Sequence, residues 1–151
     1  MGFQPLIAAA LRIETLDPAV PATAAAVLVT SGNALSASWR GPRHVPLFAV
    51  GDATAARARA AGFTQVVSAS GDAEALARLV ARDRRPEDGT LLLVSGEGHG
   101  LPLAAALRQA GFRVIRRVAY RSRPVRTLPH GATVALRAGQ VRAVLFFSAE
   151  T

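Results

Sequence analysis

The chain has 151 residues and a mass of 15.7 kDa; half of its residues are apolar and 19% are charged, which suffices for one real core and is too apolar for a disordered chain. Cysteine is absent, which excludes disulfides, thiolate zinc sites, iron–sulfur clusters and a cysteine nucleophile. Eighteen arginines and no lysine face ten acidic residues, giving a net charge of +8 and a pI near 11.7, so anions are the expected partners. The lack of lysine beside so much alanine has the look of a GC-rich genome, so no single arginine implies bidentate recognition. No apolar run approaches the ~18 residues of a membrane span, and the first thirteen residues hold only Arg12 as a base, so a cytoplasmic protein is expected.

In chain order, short continuous apolar runs recur at 25–29, 46–50, 65–67, 91–94, 114–119 and 143–147. Such runs read as strands buried on both faces. Alanine-rich stretches with helical spacing lie between them, at 33–38, 53–61, 72–82 and 101–110. Strand and helix alternate, which predicts a parallel α/β sheet, with residues 25–119 forming a five-stranded, doubly wound, flavodoxin-like unit. Ala61-Gly62-Phe63 and Ala110-Gly111-Phe112 each end a helix and lead into a strand, with glycine supplying the left-handed turn.

The proline-bearing segments 14–22 and 120–131 read as linkers. They predict one complete α/β domain over 17–119, with 1–16 and 120–151 belonging to a second, partial domain that the chain leaves and re-enters. The Gly2-Phe3 junction has no helix before it, and Ser148 reads as the cap of a helix not reached by Thr151. The chain is therefore expected to be a piece of a longer protein, its ligand site in the cleft between two domains and its incomplete domain a cause of self-association.

Three loops fall at the carboxyl ends of expected strands, where open α/β sheets bind ligands. Thr30-Ser31-Gly32-Asn33 and Val50-Gly51-Asp52-Ala53-Thr54 fit both a helix cap and an anion cradle. Ser95-Gly96-Glu97-Gly98-His99-Gly100 is a tight turn or a main-chain anion nest, and matches neither the dinucleotide fingerprint nor the P-loop. Arg113, Arg116, Arg117, Arg121, Arg123 and Arg126 crowd around Tyr120, and strand alternation would divide them between two faces. His44, His99 and His130 lie in loops without metal-like spacing, and no nucleophile, base and orienting group stand together. One tyrosine and one tryptophan offer little base stacking, which argues against nucleic acid as the partner.

The ordered set of Leu28-Val29-Thr30-Ser31-Gly32-Asn33-Ala34, Phe48-Ala49-Val50-Gly51-Asp52-Ala53-Thr54, Ala61-Gly62-Phe63, Leu92-Leu93-Val94-Ser95-Gly96-Glu97-Gly98, Val118-Ala119-Tyr120-Arg121 and Val144-Leu145-Phe146-Phe147-Ser148 resembles the uroporphyrinogen-III synthase family. The resemblance spans nearly the whole chain. It implies two α/β domains joined by a two-stranded linker, and a lyase reaction without cofactor or metal. In that reaction linear hydroxymethylbilane closes to uroporphyrinogen III with loss of water and inversion of ring D through a spiro intermediate. By the same resemblance Tyr120 matches the tyrosine that assists loss of the substrate hydroxyl, and Thr30, Ser31, Gly51, Thr54, Gly96 and Ser148 match substrate-lining positions. Ser95 stands where the family commonly carries arginine, and Gly32 where another small residue or proline is usual. The alternative reading is a non-catalytic anion-binding or interaction module.

Overall fold

A computed structural model of the chain describes residues 2, 4–35 and 39–145. Ten elements follow in order: β1 (Leu11–Thr15), β2 (Ala26–Val29), β3 (Leu47–Ala49), α1 (Asp52–Ala60), β4 (Val66–Ser68), α2 (Ala73–Asp83), β5 (Leu91–Gly96), α3 (Leu101–Gln109), β6 (Val114–Pro124) and α4 (His130–Arg137). Single turns of 3-10 helix occupy Gly32–Ala34 and Pro86–Asp88. The chain divides into a larger unit, residues 15–121, and a smaller one made of 1–14 and 122–151.

In the larger unit the strands run parallel in the order β6-β5-β2-β3-β4, with Leu28 opposite both Leu93 and Phe48. Every residue of β2 is fully buried, because a central parallel strand is covered by helices on both faces. Its side chains alternate accordingly. Ala26 and Leu28 join Phe48, Leu91, Leu93, Leu76, Val80, Leu103 and Leu107 beneath α2 and α3. Val27 and Val29 join Leu47, Ala49, Leu92, Val94, Ala55 and Ala58 beneath α1. Right-handed crossovers require this arrangement when the sheet grows outward in two directions from its first strand.

Local chemistry sets the helix ends. Asp72 caps α2, its carboxylate accepting from the Ala75 amide at 2.8 Å, and Leu76, Leu79 and Val80 recur at the spacing that buries one face. That amide hydrogen bond holds the Asp72 carboxyl below its usual range. A carboxylate whose folded value is depressed contributes stability above its unfolded value, and the contribution disappears as pH falls through the folded one. The stability difference between the protein and its Asp72→Ala variant is therefore expected to be full at neutral pH and to shrink below about pH 4 in urea titrations.

Both Gly-Phe junctions close their helices with the same pair of bonds. Gly62 N–H donates to Arg59 O and Phe63 N–H to Ala58 O; Gly111 N–H donates to Arg108 O and Phe112 N–H to Leu107 O. The glycines stand at φ of +91° and +90°, as this helix ending demands. Gly111→Ala puts a side chain into that left-handed region, and a loss of about 1–2 kcal/mol is expected in urea unfolding, with the slope unchanged.

The structure departs from the sequence reading in several places. The sheet has six strands rather than five, because β1 pairs with β6 at its outer edge. Leu16 N–H donates to Ala119 O and Val125 N–H to Ala10 O, so this pairing is antiparallel, and the expected linker from Tyr120 to Pro124 is strand. Counted from β2, the strand order is 3-2-1-4-5, with the reversal between β2 and β5, whereas a flavodoxin-like sheet has 2-1-3-4-5. The same alternation of elements serves both orders, so local pattern cannot choose between them. The helix expected over 33–38 is a single 3-10 turn at Gly32–Ala34, with 36–38 outside the described residues. Of the strand expected over 143–147, residues 143–145 carry no regular structure and 146–147 lie outside the described residues. A strand exists only by pairing, and 143–145 find no neighbour among the described residues.

Candidate functional site

The parallel strands of the larger unit deliver three loops to one edge. Ser31 follows β2 in an extended conformation and caps the 3-10 turn, its hydroxyl accepting from the Asn33 amide at 3.3 Å. Thr30 beside it is half-buried. Arg57, one and a half turns into α1, reaches back and donates to Asn33 Oδ1 at 3.1 Å. Gly32 has no side chain to obstruct that arginine, whose stem lies where a Cβ would stand.

After β3, Gly51 precedes α1 in an extended conformation, and an added methyl there meets nothing within 4 Å. Asp52 follows in the first turn. Hydrogen bonds from Ser68 and Ser70, the latter at 2.9 Å, hold its carboxyl below the usual range. This carboxylate stands beside the positive end of the α1 dipole, the place an anion would take. Thr54, two residues on in the same turn, is buried.

The loop after β5 is the most tightly built. Ser95 is fully buried and its hydroxyl donates to His99 O at 2.9 Å. Arg116, from the neighbouring strand, donates through Nε to the same carbonyl at 2.9 Å and through Nη2 to Gly96 O at 3.2 Å. His99 N–H closes the turn on Gly96 O at 3.1 Å.

Tyr120 owes its direction to an irregularity in β6. Ser95 lies opposite Val118, but Gly96 lies opposite Tyr120, so Ala119 is an extra residue in the ladder. A bulge of this kind shifts the alternation by one. Ala119 and Tyr120 consequently enter the same cluster, with Val94 and Trp39, and Tyr120 is 7% exposed. Its ring then lies on Gly96. A Cβ at Gly96 would be 2.6 Å from Tyr120 Cζ and 2.9 Å from its hydroxyl oxygen.

Gly96 and Tyr120 are thus brought into contact, with the Thr30-Ser31 loop beside them on the adjacent strand, and the Gly51 loop one strand further. Ser148 lies outside the described residues.

A model of the family described as uroporphyrinogen-III synthase HemD matches residues 1–151. The chain belongs to the uroporphyrinogen-III synthase family. Among solved structures, uroporphyrinogen-III synthetase from Helicobacter pylori 26695 superposes with a TM-score of 0.59 at 19% identity, over 83% of this chain and 59% of that one. The chain thus spans about three fifths of that protein's length. No match is found among the curated proteins.

Ser95 precedes the loop glycine in this uroporphyrinogen-III synthase family member, and a guanidinium reaches the loop from β6. Sequence reading placed Arg116 in a charged run and missed this use. Alternation along β6 could have put it on the α3 side, but nothing local points to the two carbonyls. Two others of the six arginines are engaged elsewhere: Arg117 donates to Ala19 O at 2.6 Å, and Arg123 stands 3.8 Å from Glu14 within the smaller unit. Arg57 was also missed, since its partner Asn33 lies 24 residues away in sequence.

Proposed function

We propose that this chain acts as a uroporphyrinogen-III synthase, closing hydroxymethylbilane to uroporphyrinogen III with loss of water and inversion of ring D. The observation that carries the reading is the Tyr120 ring, turned by a bulge onto Gly96 at the carboxyl edge of the sheet. In the proposed step the C–O bond of the hydroxymethyl group breaks with the help of the pyrrole nitrogen lone pair. The Tyr120 phenol donates its proton to the departing oxygen, which leaves as water. The resulting cation is attacked by the ring D carbon, giving the spiro intermediate. A net charge of +8 favours a substrate with eight carboxylates, and Thr30, Ser31, Gly51, Thr54, Gly96 and Ser148 are proposed to line its path. The reaction asks the protein for no cofactor or metal.

Residues 17–119 are read as one complete domain, with 1–16 and 120–151 as parts of a second. Self-association belongs to the same proposal, since Val134 and Leu136 of α4 are each nearly half exposed; sedimentation velocity is expected to show species heavier than 15.7 kDa. No helix among the described residues is long and apolar enough to cross a membrane, and a cytoplasmic location is proposed.

The test is the ratio of uroporphyrin isomers formed from freshly generated hydroxymethylbilane, separated chromatographically after oxidation. Spontaneous closure yields isomer I, so an excess of isomer III is expected with the protein present. Isomer I alone, together with binding of uroporphyrin, would replace this reading with that of a non-catalytic anion-binding module.

A further inference from the structure

We propose that Arg116 is a positioning residue of this site, pinning the 96–100 loop by its carbonyls so that Gly96 remains a flat bed beneath the Tyr120 ring. The consequence for turnover rests on the synthase reading; the geometric part does not.

The argument starts from how the loop is held. Its first and fourth carbonyls, Gly96 O and His99 O, both accept from the Arg116 guanidinium, and His99 O accepts from Ser95 as well. Glu97 N–H donates to Tyr120 O at 2.8 Å, so the loop and the strand end that carries Tyr120 are tied through the main chain. A planar fork with fixed donors holds two carbonyls in one set geometry, whereas the rotatable donors of an ammonium on a flexible stem fix their places less firmly. Bonds from a charged donor are also stronger than neutral ones.

The bulge completes the arrangement. Before it, regular alternation places Arg116 on the face opposite Ile115, which packs with the α1 cluster, and so on the side where the loop turns into α3. After it, Tyr120 lies in the α1 cluster. The end of β5 is therefore held from one face by a guanidinium and covered on the other by a phenol ring. With two donors engaged on main-chain carbonyls, Arg116 is assigned to shaping the site.

The chain contains one tyrosine, so ring-labelled tyrosine gives a single set of NMR signals that needs no assignment by mutation. In the unmodified protein, a nuclear Overhauser contact between the Tyr120 ring and the Gly96 α-protons is expected, together with a ring-current shift of those protons. Arg116→Met is expected to remove the contact and at least halve the shift. The kcat for isomer III formation should fall by about tenfold while KM stays within about twofold, as misplacement of a reacting group produces. Arg116→Lys is expected to restore part of both the shift and kcat.

A contact and shift unchanged in Arg116→Met overturn the proposal, as does full recovery of both by any side chain of similar volume without donors. If Arg116→Met fails to fold, Arg116→Lys decides by the same signals, an intermediate shift supporting the clamp and an unaltered one refuting it. If the unmodified protein forms no isomer III, the synthase reading fails on its own, and the NMR contact still decides whether Arg116 sets the bed.

Discussion

Replacing Gly96 by alanine is expected to unseat the Tyr120 ring, at a cost of about 1–3 kcal/mol in unfolding free energy, the range for overpacked interiors. The new methyl would stand 2.6 Å from Cζ, 2.8 Å from Cε2 and 2.9 Å from the hydroxyl oxygen, all closer than carbon and oxygen atoms approach without displacement. The backbone cannot yield readily, since Gly96 O is held by Arg116 and the main chain is paired with β6. The ring must move, and it is a stiff unit buried among Val94, Ala119 and Trp39. Under the synthase reading, turnover should fall by about a hundredfold, because a reacting group displaced by an ångström loses that much. Urea unfolding followed by circular dichroism and the isomer III rate check both parts. A variant as stable and as active as the parent would show that the ring finds an equivalent seat. Gly131→Ala, where an added methyl meets nothing within 4 Å, should instead be neutral or stabilising by about 0.5 kcal/mol.

Tyr120→Phe separates chemistry from packing. The ring keeps its place on Gly96, so stability is expected to stay within about 1 kcal/mol of the parent. If the phenol delivers the proton to the leaving hydroxyl, isomer III formation should drop by roughly 10²- to 10⁴-fold, the contribution typical of a positioned acid. Tyr120→Ala would confuse the two effects by opening a cavity that costs about 3–5 kcal/mol. A Tyr120→Phe variant that still forms isomer III at half the parental rate or better would remove the proton-donor role while leaving the family assignment intact.

Several elements were legible because a short stretch of chain decides them. β2 and residues 91–94 of β5 are short continuous apolar runs, the pattern of strands covered by helices on both faces. α2 carries its cap and its apolar stripe within eleven residues. Gly62 and Gly111 announce helix ends because no other residue enters that backbone region cheaply. The candidate loops were found for the same reason, since strand ends precede them in the chain.

Other features had no local signature. Residues 11–13 carried no expected element and the second half of β6, half exposed and holding two arginines, read as a linker; β1 and this part of β6 become strands because each supplies the other with hydrogen-bond partners. α4 begins with His130-Gly131 and has neither a side-chain cap nor an acidic first turn, so it escaped notice. The Gly51 loop fits both a helix cap and an anion cradle in sequence, and only the fold brings two serines from the end of β4 to the Asp52 carboxylate at the helix start.

Residue type and order were enough for the alternation from β2 to the first half of β6, for the family, and for the loops that reach the carboxyl edge. Each rests on residue type and spacing within one element, or on an ordered set of such short stretches. Tertiary structure alone decided the strand order, the bulge at Ala119 and the seating of Tyr120 on Gly96 with Arg116 behind it. Those depend on which strand lies beside which, and residues about twenty apart in the chain then compete for the same few ångströms.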